Sequence, residues 1–394
     1  MSEPAGKATV ARRWAGNAAL ALGAVLVALL VAEIVIRLLG ISYPVFVWTD
    51  PVLGVGHIPG ARSGLEYEGR PWIEINSDGW RGPEVPLEPD GRTYRIALLG
   101  DSYIEAFEVP FEKTLGELVE LRLARMLGRP VEVLNFGHGG YGTTQEQLVL
   151  RNEVWKYSPD LVLLAVTTGN DISDNSRALK RTDYVPYHVY QGDRLVLDTT
   201  FLASDDYRNR AMWTRRMLKI VQYSRLAQVI NRVRRVSRRT ERQHTNRVPG
   251  VEVGLRDEVQ VPPKTAAWKE AWRVTEGVIR LIRDDCRNHG VPFGLITLTR
   301  GIQVTPIAAD KARFLRALGV RDLYYPDRRL AQLGEREGFP VLNLAPKMAE
   351  IATRKRVYFH AYRDRLGVGH WSEAGHAAAA DLVAPWIASE IHAR

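Results

Sequence analysis

The amino-acid sequence predicts an α/β fold: a three-layer sandwich around a parallel five-stranded sheet, preceded by an N-terminal transmembrane helix. Three observations carry this expectation. From residue 93 onward, short apolar runs alternate with stretches of helical periodicity, the pattern of parallel strands covered on both faces by crossover helices. Turns rich in Gly, Asp and Asn close the first three of those runs. The first forty residues, by contrast, hold one long apolar segment outside the alternation.

Composition sets the outer limits. The chain has 394 residues, 45% apolar and 25% charged. At roughly 100–200 residues per domain, this is one large domain with additions or two domains, and neither a disordered nor a fibrous chain. A single cysteine, Cys286, excludes an internal disulfide framework and a zinc site built on several thiolates. Lys and Arg number 54 against 45 Asp and Glu, a net charge of +9, and the excess is concentrated in one segment.

Taken in order, residues 1–17 form a cytoplasmic N-terminus and residues 18–40 a membrane anchor. Residues 18–32 are unbroken apolar and Gly; Glu33 interrupts them, and Ile34, Val35 and Ile36 continue the run. A helix of about 19 such residues crosses the ~30 Å hydrocarbon core. Lys7, Arg12 and Arg13 precede the run, so the positive-inside bias leaves everything after Arg37 outside the cytoplasm. Glu33 and Arg37 are one helical turn apart and can pair at the outer interface, which lowers the cost of the carboxylate. A cleaved signal peptide and a buried soluble helix are the alternatives. A signal peptide calls for an apolar region of about 7–15 residues and a small-x-small cleavage site; no clean site of that kind stands between Leu30 and Gly40.

Residues 41–92, rich in Gly, Pro and Trp, read as a loop-rich lead-in with short strands such as residues 72–75. The domain proper is expected over residues 93–394. Its strands fall at 95–99, 131–134, 161–166, 293–298 and 341–344, in a doubly wound, flavodoxin-like order. Its helices fall at 114–127, 145–157, 266–288, 327–337 and 372–391. In the first helix Leu115, Leu118, Leu121, Leu123 and Met126 recur at helical spacing.

An insertion at about residues 205–248 breaks the alternation. Residues 208–247 hold 13 Lys or Arg against one acid, Glu241. Met217, Ile220, Val221, Leu226, Val229, Ile230, Val233 and Val236 form a partly helical apolar stripe within it. An amphipathic insertion packed on the sheet domain with a solvated basic face is one reading. Contact with anionic lipid headgroups or with an acidic polysaccharide is the other. Nucleic acid does not suit the outer side of a membrane.

Four pieces of chemistry coincide with the predicted strand ends, where ligands sit in such a sheet. Residues 100–103 (GDSY) follow the first strand and can present the Ser102 hydroxyl at the sheet edge. Residues 135–142 (NFGHGGYG) follow the second and offer free backbone N–H donors; no Lys-Ser or Lys-Thr follows, so a phosphate loop is disfavoured. Residues 169–171 (GND) follow the third, where a side-chain amide can donate to developing negative charge. Residues 370–376 (HWSEAGH) open the last helix; His370 lies ahead of it and can reach a strand end, whereas His376 lies inside it and is expected to be structural. Each block alone also fits a tight turn or a helix cap; the conjunction supplies a hydroxyl, oxyanion donors and a base.

In that order these blocks resemble the SGNH, or GDSL-type, hydrolase superfamily, and residues 75–82 (INSDGWRG) resemble its membrane-anchored bacterial branch. The resemblance runs from about residue 70 to 394. It implies Ser102 as nucleophile and first oxyanion amide, Gly140 as the second donor, Asn170 as the third and His370 as general base. One position departs from the pattern. The family's Asp two or three residues before the histidine is here Val368 or Gly367. Asp364, six residues ahead, is a candidate to orient the imidazole. A backbone carbonyl or water is another, leaving a Ser–His dyad; Asp171 is a weaker one.

The resemblance implies a serine esterase acting on O-acyl esters, O-acetyl first among them, of cell-surface or secreted polysaccharide, or on lipid esters. A polysaccharide O-acyltransferase using the same residues is an alternative. So is a catalytically weak carbohydrate-binding or assembly component, motivated by the missing Asp. No metal or organic cofactor and no nucleic acid partner is implied. The expected place is a bacterial inner membrane, single-pass, with the domain periplasmic or otherwise extracytoplasmic.

Overall fold

A computed structural model describes residues 5–64, 68–69, 71–244, 256–362 and 365–391. The chain divides into two compact units: residues 1–45 with 213–247, and residues 46–212 with 248–394. The lead-in from Phe46 therefore shares a unit with the sheet, and residues 213–247, within the basic insertion, group with the N-terminal helix.

In the first unit, helix α1 (Ala5–Leu38) carries an apolar stretch over Arg12–Leu38 with mean hydropathy 2.8 and no burial, long and apolar enough to cross a membrane. Arg37 pairs with Glu33 one turn before it at 2.8 Å. A second helix, Arg225–His244, begins against the end of α1. Its first two N–H groups, on Arg225 and Leu226, donate to the Glu33 carboxylate at 2.9 and 2.8 Å, and Ser224 Oγ adds a third bond at 3.0 Å. Two of the donors that a helix N-terminus leaves unpaired are thus satisfied by a carboxylate.

The second unit is the sandwich. Its strands are β1 (Tyr94–Gly100), β2 (Val131–Gly137), β3 (Leu161–Thr167), β4 (Phe293–Leu298) and β5 (Val341–Asn343). All pair in parallel in the order β5-β4-β3-β1-β2. This is the expected flavodoxin-like order, with its switch point between β1 and β3. The helices Thr143–Asn152, Ala266–Asn288 and Tyr325–Glu337 cover one face, burying Leu148, Trp272, Val278 and Leu330 against Ala97, Leu99 and Leu164. The helices Leu115–Leu127, Leu344–Lys355 and Glu373–Trp386 cover the other, burying Leu123, Met348 and Val383 against Ile96, Leu98 and Leu163. Register places Gly100 of β1 opposite Gly137 of β2 and Ala165 of β3, so the turns after these strands emerge side by side on one rim.

Local sequence explains the boundaries. Thr114 caps its helix by accepting from the Glu117 N–H, and Gly128 ends it in the left-handed conformation. Thr265 caps the long helix Ala266–Asn288 in the same way. Three features depart from the sequence expectation. A helix, Leu344–Lys355, follows β5 with no intervening loop. Another spans Ala308–Leu318, and an antiparallel hairpin joins Tyr187–Gln191 to Arg194–Asp198.

The lead-in forms short antiparallel pairs, Val47–Asp50 with Gly54–His57 and Arg62–Gly64 with Trp72–Glu74. Arg81 stitches it to the segment after Ser102: its buried guanidinium donates to the carbonyls of Glu105, Ala106 and Val109.

Candidate active site

Ser102 opens a single helical turn, Ser102–Glu105, directly after β1. Gly100 is required there because a Cβ would lie 2.4 Å from Ile104 Cγ1. Asp101 fixes the turn. Its Oδ1 accepts from the Tyr103 N–H at 3.0 Å and the Thr167 hydroxyl at 2.8 Å, and its Oδ2 accepts from Asn170 Nδ2 at 3.0 Å. The buried Asp101 carboxylate thereby ties the turn after β1 to the turn after β3.

His370 meets Ser102 at this rim, with Nε2 2.8 Å from Ser102 Oγ. The opposite edge of the ring faces two carboxylates: Nδ1 lies 2.9 Å from Glu68 Oε2 and 3.1 Å from Glu108 Oε1. Glu68 Oε2 also accepts from the His370 backbone N–H at 2.9 Å. In its neutral form, an imidazole whose Nδ1 faces carboxylates carries its proton there, which leaves the Nε2 lone pair directed at the serine hydroxyl.

The electrostatics follow from burial and charge. Burial alone pulls His370 down, but the carboxylates of Glu108 and Glu68 outweigh it and hold its pKa up, at about 10. Burial, reinforced by the neighbouring Glu68 and Glu105 and opposed by His370, pushes Glu108 up to about 7. Glu68 is held below its usual value: the His370 imidazole and N–H overcome its own desolvation. Glu68 is therefore the standing anion of the pair, and Glu108 the one that exchanges a proton near neutrality.

Neither carboxylate was foreseen from sequence. Asp364, the candidate proposed for this role, lies outside the described residues. Asp171 is turned elsewhere, accepting from the Thr167 N–H at 2.6 Å. The groups that face the imidazole Nδ1 are two glutamates, in place of the backbone carbonyl or water that would leave a Ser–His dyad. Glycines admit them: Gly369 has φ +87°, and a Cβ there would lie 2.6 Å from Glu68 Oε1. A Cβ on Gly69 would lie 1.8 Å from the Glu108 carbonyl.

His360, also unforeseen, pins the loop that carries His370. Its Nδ1 donates to the Gly369 carbonyl at 2.7 Å, its Nε2 lies 3.1 Å from Thr299 Oγ1, and burial keeps it neutral by pulling its pKa down to about 4. The Trp371 indole donates to the same Thr299 hydroxyl at 2.8 Å. His376 is structural, as expected: fully buried, it accepts the Leu115 N–H at Nδ1.

The donors also stand at this rim. The N–H groups of Ser102 and Gly140 find no acceptor among the described residues. Gly140 has φ +83°, the left-handed region, and its carbonyl is held by Lys180 Nζ at 2.6 Å. Asn170 donates an amide hydrogen to Asp101 Oδ2 at 3.0 Å, and its side chain also bonds the Asp174 carboxylate. Another buried cluster, His57, Glu105 and His138, offers metal-ligating atoms near one another. Within it His57 is already bound at both ring nitrogens, to the Gly79 carbonyl at 3.0 Å and to Glu105 at 2.7 Å, and it props the turn that carries Ser102.

Fold and site together define a class: an α/β sandwich with a Ser–His–carboxylate arrangement at the carboxyl rim of its parallel sheet. No protein-family profile matches the sequence, and no curated protein matches it. Among solved structures the chain is similar to a gut microbial diltiazem-metabolizing enzyme, at 10% identity and TM-score 0.38, over 75% of this chain. The match spans about half, 47%, of that enzyme's length. It is similar to a protein described as lipolytic and of the G-D-S-L family, from Desulfitobacterium hafniense DCB-2, at 10% identity and TM-score 0.35, over 74% of this chain and 98% of that one. It is also similar to the acetyl xylan esterase AlAXEase, at 13% identity and TM-score 0.38, over 75% and 99%. With scores this low, the chemistry of the site rests on the distances above.

Proposed function

We propose that the chain is a serine esterase that cleaves O-acyl esters, O-acetyl groups on polysaccharide first among them, and that Ser102, His370 and Glu68 carry the reaction. The supporting observation is the single line of contacts from Ser102 Oγ through the imidazole to Glu68, at 2.8 and 2.9 Å. His370 Nε2 takes the Ser102 hydroxyl proton as Oγ attacks the ester carbonyl carbon. The N–H groups of Ser102 and Gly140, with the Asn170 amide, receive the negative charge that develops on the carbonyl oxygen. The C–O bond to the leaving alcohol breaks, and His370 returns the proton to that oxygen. Water, deprotonated by His370, then attacks the acyl-serine and releases the carboxylic acid.

Two further readings use the same residues or the same fold. In a transferase, a sugar hydroxyl takes the place of water in the second half. In a binding component turnover is weak; the carboxylates of Glu68 and Glu108 against His370 Nδ1 support the catalytic reading over it. We place the domain outside the cytoplasm of a bacterial cell, held to the inner membrane by α1. The orientation follows from the basic residues ahead of the apolar run.

A serine-directed phosphonate tests the core of the reading. The expected result is a covalent adduct on the peptide containing Ser102, lost in Ser102→Ala. Labelling elsewhere, or none, refutes it. A chromogenic acetyl ester then measures turnover, and an added acceptor glycan that becomes acylated identifies a transferase.

A further inference from the structure

We infer that the helix Arg225–His244 and the end of the helix before it, Asp205–Tyr223, form a collar lying in the headgroup layer of the bilayer that α1 crosses, with an anionic phospholipid surface as its ligand. The inference rests on the anchor reading of α1 and adds a second, peripheral attachment to the same leaflet.

Position is the first ground. Glu33 stands in the last turns of the apolar stretch Arg12–Leu38. Its carboxylate binds Ser224 and the N–H groups of Arg225 and Leu226. Arg37 donates to the Tyr223 carbonyl, and the buried Gln228 side chain accepts the Tyr43 N–H at 2.9 Å. The start of the basic helix is therefore fixed at the level where the spanning segment leaves the hydrocarbon, within reach of headgroups whatever the rest of the chain does.

Exposure is the second ground. Ile220 and Tyr223 are 53% and 76% exposed one turn apart, and Ile230 and Val233 are 53% and 62% exposed one turn apart. In water, four large apolar side chains beside this junction have nothing to cover them; in an interfacial layer about 5–10 Å deep they have acyl chains. Charge is the third ground. Arg232 and Arg234 share the segment with Ile230 and Val233, and residues 208–247 hold 13 basic residues and one acid. Arg beside an apolar face at a membrane boundary is the composition of an interfacial helix that selects anionic lipid. An acidic glycan would meet the charge but would leave Ile230 and Val233 in water.

The test uses the full chain with Cys286→Ala as background and a nitroxide at Ile230→Cys, at Val233→Cys or, as control, at Leu26→Cys. Each is reconstituted in nanodiscs of zwitterionic lipid and of lipid containing about one third phosphatidylglycerol. The expected result is that labels 230 and 233 become accessible to oxygen and shielded from a water-soluble nickel complex. The shielding should deepen at least twofold with anionic lipid and shrink in high salt. Label 26 should be shielded in both. A shielded label 26 with labels 230 and 233 open to nickel in both nanodiscs overturns the collar and leaves the anchor standing. Shielding of 230 and 233 by a soluble polyuronate but by neither bilayer overturns it in favour of a glycan face. A label 26 open to nickel removes the anchor, and the collar with it. Circular dichroism of each labelled chain confirms that the helices are intact.

Discussion

Glu68→Gln is the perturbation that tests the relay most directly. Glu68 Oε2 accepts from both Nδ1 and the backbone N–H of His370, each at 2.9 Å. Glutamine keeps an acceptor oxygen and the shape but loses the charge, so the tautomer survives while the imidazolium formed in the transition state loses a charged partner. A hydrogen bond to a charged group is worth roughly 1.5–3 kcal/mol against about 1 for a neutral one. A deficit of about 1–2 kcal/mol corresponds to roughly 5–30-fold in kcat/KM. Glu108, at 3.1 Å from the same nitrogen, limits the loss: without Glu68 beside it, one of the charges that reinforce burial in raising Glu108 is gone, and it ionises more readily. In Glu68→Gln/Glu108→Gln nothing anionic is left against Nδ1, and the loss should approach the ~10⁴-fold seen where a triad's acid is neutralised.

The pH profile carries a second signature. His370 must be neutral to accept the serine proton, and the two carboxylates hold its pKa up at about 10. Taking one away lets burial pull it down, so the acid limb of kcat/KM moves to lower pH. The deficit of the single variant is then largest on the alkaline plateau and smaller near neutrality. A chromogenic acetyl ester, assayed across pH with melting temperature as a folding control, measures both effects. An unmoved acid limb with an unchanged plateau, or a double variant as active as the parent, refutes the relay.

Gly369→Ala places a Cβ against Glu68 Oε1 in a left-handed backbone; it should lower stability by about 1 kcal/mol or more and reduce kcat beyond Glu68→Gln, read by melting and kinetics together. Lys180→Met releases the Gly140 carbonyl and should lower kcat about tenfold with KM unchanged, because a donor out of place weakens only the transition state. His376→Leu strands the buried Leu115 N–H and should cost roughly 1–3 kcal/mol in denaturant titration. Cys286 is fully buried, and burial pushes its thiol up to about 12, so a thiol reagent should modify it only as the chain unfolds.

The scaffold was legible in the sequence where local signals were strong. Ala266–Asn288 and Phe293–Leu298 agree with expectation at both ends, because a Thr cap opens the first and Gly290 with Pro292 separates the two. The helix Leu344–Lys355 was missed because it starts where β5 stops: with no turn residue between them, the apolar residues read as the end of a strand. Ser102 and His370 were found from the turns that carry them, and the structure brings them together. Glu68 and Glu108 were not. The acids that sequence suggests are Asp364, in the loop before His370, and Asp171, after a sheet strand, whereas the acid that meets the imidazole stands 302 residues away in sequence. A carboxylate needs only proximity in space, and no local pattern marks one that arrives from a loop-rich segment.

Because Glu68 belongs to the stretch between the anchor and the sheet, the point at which the chain is cut decides what a released domain can do. A fragment that begins before residue 46 keeps the Glu68 carboxylate that accepts from His370. One that begins beyond Gly69 lacks the carboxylate that faces His370 Nδ1. A fragment that begins at the first sheet strand lacks Glu68, so its silence in a substrate screen would not count against the proposed reaction.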